Sequence, residues 1–344
     1  MAAVLGKPLA KCFPDSVLSQ VVFPPPSTFN PLRDIPDLTG KVTIVTGGAV
    51  GIGYYTALAL LQKNAKVYIA TRSETKANEA IRKLREKTGR EATFLHLDLA
   101  DLASVRRAAR EFTNKEEKLD ILFNNAGVML APLDQLTAQG YDLRTNALGH
   151  YYFTNLLRPL LNQSTQLNGE KARVVFTSSS AFEFAPGDGI EFDVLKGGPA
   201  RDAKIKEYGV SSIPGKGAGW MIYGISKFAN VLTSNIFQHF YADELSSYSV
   251  NPGGIRSELQ RHGSSFEQVI SKALLKPTPM GALTQLYVGT MPEAGNEPGG
   301  YFIPWARVSE QKPRLKNVEL QMRFKEWVDA ELQAFEEASE SGRA

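Results

Sequence analysis

The chain has 344 residues, 43% of them hydrophobic, with 39 Lys and Arg against 36 Asp and Glu for a net charge of +3. A sizeable core is possible, while the charges form no basic tract of the kind a nucleic-acid binder needs. The lone Cys12 excludes an intramolecular disulfide framework. No apolar run approaches the roughly eighteen residues of a membrane span. Lys7, Pro8 and Lys11 interrupt the N-terminal apolar stretch that a signal peptide would need. A cytoplasmic protein without a transmembrane segment is therefore expected.

Residues 1–37 contain "FPPPSTFNPLRDIP", whose proline density opposes regular structure and predicts a peripheral arm. From Lys41 the pattern becomes regular. "KVTIVTG" reads as a buried strand and "GIGYYTALALLQKN" as a helix. "AKVYIATR" is a second strand and "ETKANEAIRKLREKTG" an amphipathic helix ending at Gly89. "EATFLHLDLAD" gives a third strand, "LASVRRAAREF" a third helix, "KLDILFNNAG" a fourth strand and "ARVVFTSSSA" a fifth. Short apolar strands alternating with helices predict an α/β fold, a doubly wound parallel sheet with helices on both faces. Residues 183–219 are rich in glycine and proline and break every period, so an irregular and functional segment is expected there. "PGGYFIPW" predicts a final strand and "VELQMRFKEWVDAELQAF" a C-terminal helix. The expected division is an arm over 1–37, a dinucleotide-binding catalytic domain over 38–310 with a flap at 183–219, and a helical cap over 311–344.

The turn after the first strand is "TGGAVGIG", which places Gly47, Gly51 and Gly53 in a G-x-x-x-G-x-G spacing between a strand and a helix. Glycines there permit a tight turn and let the backbone approach a pyrophosphate, and the helix N-terminus offers free N–H groups with a partial positive charge. The bland alternative is a tight turn that holds nothing. The second strand ends "VYIATRS", with Arg72 and no acid before Glu74. An acid at that point suits the ribose 2′-hydroxyl of NAD, and an arginine suits the 2′-phosphate of NADP. NADP(H) is expected over NAD(H), unless Arg72 is merely a surface cation.

"MIYGISKFAN" sets Tyr223 and Lys227 four apart, neighbours on one helix face. Alone, this spacing is also that of any solvated helix face. In their order along the chain, however, "TGGAVGIG", "LDLAD", "NNAG", "TNALGH", "VVFTSSSA", "YGISK" and "VNPGGIRSEL" resemble the short-chain dehydrogenase/reductase superfamily, with the nearest likeness to its retinol dehydrogenase and WW-domain oxidoreductase branch. These motifs span residues 41 to about 260.

The resemblance implies a Rossmann-type fold and a catalytic tetrad of Asn146, Ser179, Tyr223 and Lys227. A phenol with a reference pKa near 10 donates poorly at neutral pH. A nearby ammonium and the positive nicotinamide of an oxidised cofactor are expected to lower it, so that Tyr223 serves as general acid or base. Lys227 would also hold the nicotinamide ribose, Ser179 would stabilise charge on the substrate oxygen, and Asn146 would hold a water. Among Ser178, Ser179 and Ser180, the resemblance favours Ser179. It further implies that Gly47, Gly51, Ile52 and Gly53 meet the cofactor with Arg72. Asp98 would contact the adenine, and Asn124, Ala126 and Gly127 the adenosine ribose. Pro252, Gly253 and Ile255 would cover the carboxamide, with Ser257 near the diphosphate. His150 reads as a packing residue, and no residue cluster suggests a metal.

Three features depart from the family pattern. The glycine turn carries apolar Ala49 and Val50. The approach to Asn146 is short. "YADELSSYSVNPGG" joins helix to strand almost without a loop, so the helix, if it begins at Tyr223, is expected to unwind at its far end. The reading implied is an NADP(H)-dependent oxidoreductase interconverting a carbonyl and an alcohol on a hydrophobic small molecule, with Trp220 and Phe182 as candidate pocket walls and a homodimer or homotetramer as the family's usual assembly. The alternative is a dinucleotide-binding sensor or partner module whose shortened segments have cost it activity.

Overall fold

The computed structural model describes residues 17–130, 132–141, 147–210, 217–256 and 275–341. Two short helices, α1 (Val17–Val21) and α2 (Pro31–Asp34), precede an alternation of strands and helices: β1 (Val42–Thr46), α3 (Gly51–Gln62), β2 (Lys66–Thr71), α4 (Glu74–Thr88), β3 (Thr93–His96), α5 (Leu102–Thr113), β4 (Ile121–Asn124), α6 (Ala147–Asn168) and β5 (Ala172–Thr177). Then come α7 (Pro199–Glu207), α8 (Gly217–Phe240), β6 (Leu245–Val250), α9 (Thr278–Thr290), β7 (Tyr301–Ile303), β8 (Arg307–Ser309) and α10 (Val318–Glu340).

The strands form one sheet in the order β3-β2-β1-β4-β5-β6-β7-β8. All pairings are parallel except the last, where β8 returns antiparallel along β7, with Phe302 opposite Val308. Strand order reverses between β1 and β4, which is where a doubly wound sheet opens a crevice at the carboxyl ends of its strands. The expected Rossmann-type arrangement is thus present.

Successive strand residues face opposite sides, and the apolar ones divide accordingly. Ile44, Tyr68, Leu122, Val174 and Phe176 enter one core with α5, α6, α8 and α10. Val45, Val67, Ile69, Phe123 and Val175 enter the other with α3, α4 and α9. The helices follow from local chemistry. Ser73 caps α4 by accepting from the Lys76 N–H, and Asp101 caps α5 by accepting from the Ala103 N–H. Leu102, Val105, Ala109 and Phe112 then give α5 a buried stripe at three- and four-residue spacing.

Several boundaries differ from expectation. The proline-rich arm is peripheral only in part: Phe29 and Ile35 are buried in the α3/α9 core, and Phe29 meets Tyr287 edge-on at 5.4 Å. The C-terminal helix is no separate cap. Leu320, Phe324, Val328 and Phe335 of α10 lie in the same core as α5 and α6, and Arg106 pairs with Glu336 at 2.6 Å. The segment 183–219 is not wholly irregular, since it contains α7. The helix carrying Tyr223 does not begin there but at Gly217, and it ends at Phe240 without unwinding. The N–H groups of Glu244 and Leu245 both bond the Tyr241 carbonyl, a turn tight enough to enter β6 directly. The approach to Asn146 lies outside the described residues. No helix among the described residues is long and apolar enough to cross a membrane.

Candidate active site

A cleft of about 730 Å³ opens at the carboxyl ends of the strands. At one end is the glycine turn. Gly47 and Gly51 have φ of +67° and +58°, a conformation that L side chains resist. Gly53 has another reason to be glycine: a Cβ there would lie 2.5 Å from the Gly47 carbonyl oxygen and 2.7 Å from Asn125 Nδ2. The Val50 cap offers no side-chain acceptor and the first turn of α3 holds no acid, so the leading N–H groups of this helix face the cleft without a capping side chain. That is a cradle suited to a diphosphate.

Beside it, Arg72, Ser73 and Lys76 line the cleft where β2 ends. Arg72 is exposed and has no ion pair among the described residues. Asp98 is also on the wall, and its Oδ1 accepts from the Ala100 N–H at 3.0 Å, which fixes the carboxylate in the turn before α5.

At the other end stand Ser179, Tyr223 and Lys227. Both α8 residues are 5% exposed. Lys227 Nζ donates to the Thr177 carbonyl at 3.0 Å and lies 5.7 Å from the Tyr223 ring centroid. Burial pushes the phenol up to about 12, against which a hydrogen bond with Ser179 works in the opposite direction. Burial also brings Lys227 down to about 8. In the chain itself the phenol shifts upward, because burial disfavours the phenolate, whereas the lowering was expected from the ammonium and the positive nicotinamide acting together. Ser178, Ser179 and Ser180 all border the cleft, and hydrogen bonding distinguishes the first two. Ser178 is buried and donates to the Lys227 carbonyl at 2.7 Å, whereas Ser179 faces the cleft, holding the Ala181 N–H and meeting the Tyr223 phenol.

The remaining expected residues divide. Ile52, Ala126, Gly127, Pro252, Gly253 and Ile255 line the cleft. Gly53 does not, being packed beneath the turn. Asn124 does not either: it is buried, donating to Thr154 Oγ1 at 2.8 Å, and Asn125 takes the cleft position. The physical reason is strand alternation, since consecutive side chains at the end of β4 point opposite ways. Asn146 and Ser257 lie outside the described residues. Phe182 is buried in the core, and its neighbour Phe184 joins Trp220 on the wall instead.

His150 is buried, as a packing residue should be, but sequence reasoning missed the hydrogen-bonded scaffold around it behind the cleft. Thr46 Oγ1 accepts from the N–H groups of Asn125 and Ala126, both at 2.9 Å, and lies 3.0 Å from His150 Nε2. His150 is fully buried and held neutral, its pKa lowered to about 3 by burial and by the Lys227 charge. Gln285 accepts from Thr177 Oγ1 at 2.9 Å and donates to Thr56 Oγ1 at 2.5 Å and Asn125 Oδ1 at 3.3 Å. The one available signal was composition: a glutamine in the otherwise apolar run "GALTQLYVG".

Comparison with known proteins agrees with this geometry. The family model described as short chain dehydrogenase matches residues 41–188. A protein of Armillaria gallica named a short-chain dehydrogenase/reductase is 49% identical over 317 residues, covering 91% of this chain and 96% of that one. The chain belongs to the short-chain dehydrogenase/reductase family. It is an oxidoreductase by that membership, as is a relative from Schizosaccharomyces pombe, an uncharacterized oxidoreductase 40% identical over 301 residues, covering 82% of this chain and 81% of the other. The family's fold is also met in solved structures. One of Mycobacterium paratuberculosis has a TM-score of 0.62 at 23% identity, over 87% of this chain and 96% of that one. The RhlG/NADP active-site complex of Pseudomonas aeruginosa has a TM-score of 0.58 at 23% identity, over 80% and 97%.

Proposed function

We propose that the chain interconverts a carbonyl and an alcohol on an apolar small molecule, with NADP(H) as its dinucleotide. The observation that carries this reading is the meeting of Ser179 with Tyr223, one helical turn from buried Lys227, in a cleft whose far end is a helix N-terminus beside an arginine. Gly47, Gly51 and Ile52 would hold the diphosphate, and Arg72 with Ser73 the 2′-phosphate. Asp98 would face the adenine, and Ala126 and Gly127 the ribose next to it. Pro252, Gly253 and Ile255 would face the nicotinamide. The α3 N-terminus and the absence of an acid before Glu74 support a phosphate-bearing ligand, and the Pseudomonas aeruginosa neighbour is a complex with NADP. Asn146 and Ser257 keep the roles that the family resemblance implies.

The bound dinucleotide supplies or accepts the hydride. The chain's own residues handle the proton and the developing charge. In reduction, Tyr223 donates its proton to the substrate oxygen, and the Ser179 hydroxyl hydrogen-bonds the same oxygen as negative charge grows there. A phenol raised to about 12 is fully protonated at neutral pH and is ready to donate. The phenolate left behind lies within the field of Lys227, whose ammonium is held in place by the Thr177 carbonyl. In oxidation the same steps run backward, with Tyr223 as base. Segment 183–219 supplies Glu183 and Phe184 to the wall and would cover the substrate.

The test is fluorescence titration with NADPH and NADH on wild type and Tyr223→Phe, followed by NADPH oxidation with a panel of bulky ketones and aldehydes. NADPH should bind both proteins, and turnover should fall about 10²- to 10⁴-fold in the variant. NADPH binding without turnover of any carbonyl by the wild type would overturn the reading.

A further inference from the structure

The part of the arm expected to be peripheral reaches the reacting end of the cleft. Val17 and Val21 of α1 line the same space as Ser179 and Tyr223. Helix α1 lies between two segments. On one side it packs on the Ser180–Phe184 turn that follows Ser179. On the other it sits on the turn after β6, and the fit there is close: a Cβ at Gly254 would lie 2.5 Å from the Val21 carbonyl oxygen and 2.8 Å from Val21 Cγ1. Gln20 is the latch. It is buried, and its Oε1 accepts from Asn251 Nδ2 at 2.7 Å while Asn251 Oδ1 accepts from the Gly253 N–H at 2.9 Å. One asparagine amide thus ties the arm to the wall opposite Tyr223. Such a buried amide contact is costly to break, because Asn251 Nδ2 would lose its acceptor away from water.

The cleft beside α1 carries apolar side chains. Phe184 and Trp220 are 56% and 37% exposed and meet at 5.6 Å, and Trp220 continues to Tyr223 at 6.1 Å. Large aromatics left this open beside a proton donor offer stacking faces. Val17, Val21 and Leu275 present aliphatic groups to the same cleft.

We propose that helix α1 is the substrate-side wall of the pocket, and that with Phe184 and Trp220 it selects carbonyl compounds carrying a flat apolar ring system over small polar ones. The inference rests on the oxidoreductase reading above, since it concerns what enters beside Tyr223. Gln20 acts through α1 as a positioning residue.

The experiment compares wild type, Gln20→Ala and Val17→Phe. NADPH affinity comes from fluorescence titration, affinity of the NADPH complex for 2-acetylnaphthalene from calorimetry, and kcat and KM from assays with 2-acetylnaphthalene and propanal. Circular dichroism confirms folding. Gln20→Ala should leave the NADPH Kd within twofold and raise the ketone Kd and KM at least fivefold, with kcat within twofold. The ratio of kcat/KM for the ketone over propanal should fall at least fivefold. Val17→Phe, which keeps the latch but fills the wall, should change the same ratio at least threefold. A ratio unmoved in both variants overturns the proposal, as does a ketone Kd equal in all three proteins. Binding of NADPH by the wild type without turnover of either carbonyl would instead fail the underlying reading, and the ketone Kd of the NADPH complex would still judge α1.

Discussion

Gln285 is a sharp test of the scaffold behind the cleft, because its replacement touches no residue assigned to chemistry. Its side chain is 1% exposed and joins the end of β5, helix α3 and the Asn125 turn through three hydrogen bonds. In Gln285→Leu the volume is nearly kept, so the cavity contribution is small. Thr56 Oγ1 retains its bond to the Ile52 carbonyl. Thr177 Oγ1 loses its acceptor and Asn125 Oδ1 loses a donor. Two polar groups stranded in or near the core cost about 1–3 kcal/mol each, and the half-open Asn125 falls at the lower end, giving about 2–4 kcal/mol in total. For a chain of this size that is a fall of about 3–6 °C in Tm. Asn125 Nδ2 also holds the Thr46 carbonyl at 2.9 Å beneath the glycine turn, so NADPH affinity should weaken with stability, about three- to tenfold. Thermal unfolding by circular dichroism and NADPH titration read the two effects. A Tm within about 1 °C of wild type would refute the reasoning, since it would mean that water satisfies the groups the glutamine serves.

Arg72→Ala should raise the Kd for NADPH about 10- to 100-fold while leaving NADH within threefold, as expected for loss of a charge-assisted contact to phosphate. An equal loss for both dinucleotides in titration would remove Arg72 from the 2′-phosphate. Ser179→Ala should lower kcat about 10²-fold or more, whereas Ser178→Ala should mainly lower Tm, because Ser178 donates to the Lys227 carbonyl inside the protein. The reverse ranking in steady-state assays would exchange their roles. The pH dependence follows from the proton that each direction needs. Oxidation needs the Tyr223 phenolate, so with the phenol raised it should climb with pH between 7 and 9. Reduction needs the phenol and should not climb. Lys227, lowered to about 8, loses its charge in the same interval, and an inflection near pH 8 that moves upward in Lys227→Arg is expected in the rate profile. Profiles of equal slope in both directions would contradict Tyr223 as the proton carrier.

The alternation of apolar strands with helices made the parallel sheet readable, and the spacing of Gly47 and Gly51 made the tight turn between β1 and α3 readable, because both are local patterns. What escaped was set by partners far away in sequence. Asn124 and Asn125 are chemically identical, and only the parity of β4 against its neighbours decides which one meets the cleft. The direction of the Tyr223 shift depends on how much of the chain covers α8, which no spacing reports. The arm's proline density predicted no regular structure, yet Val17–Val21 and Pro31–Asp34 are helical, and it was silent on Phe29, Ile35 and Gln20, whose burial depends on surfaces formed by α9 and by the turn after β6. Similarly, the closeness of α8 to β6 looked like a deficit when counted in residues. It is a complete connection once the Tyr241 carbonyl receives two N–H groups.

The bond between Gln20 and Asn251 spans 231 positions of the chain. During synthesis the arm leaves the ribosome long before the turn that receives it exists. Domains acquire their contacts as the chain emerges, and a pairing of such long range comes late. Until residues near 250 have appeared and β6 has joined the sheet, Gln20 lacks its Asn251 partner and α1 can meet only the Ser180–Phe184 turn. The wall that α1 forms is therefore completed late, and its final assembly waits on translation of Asn251.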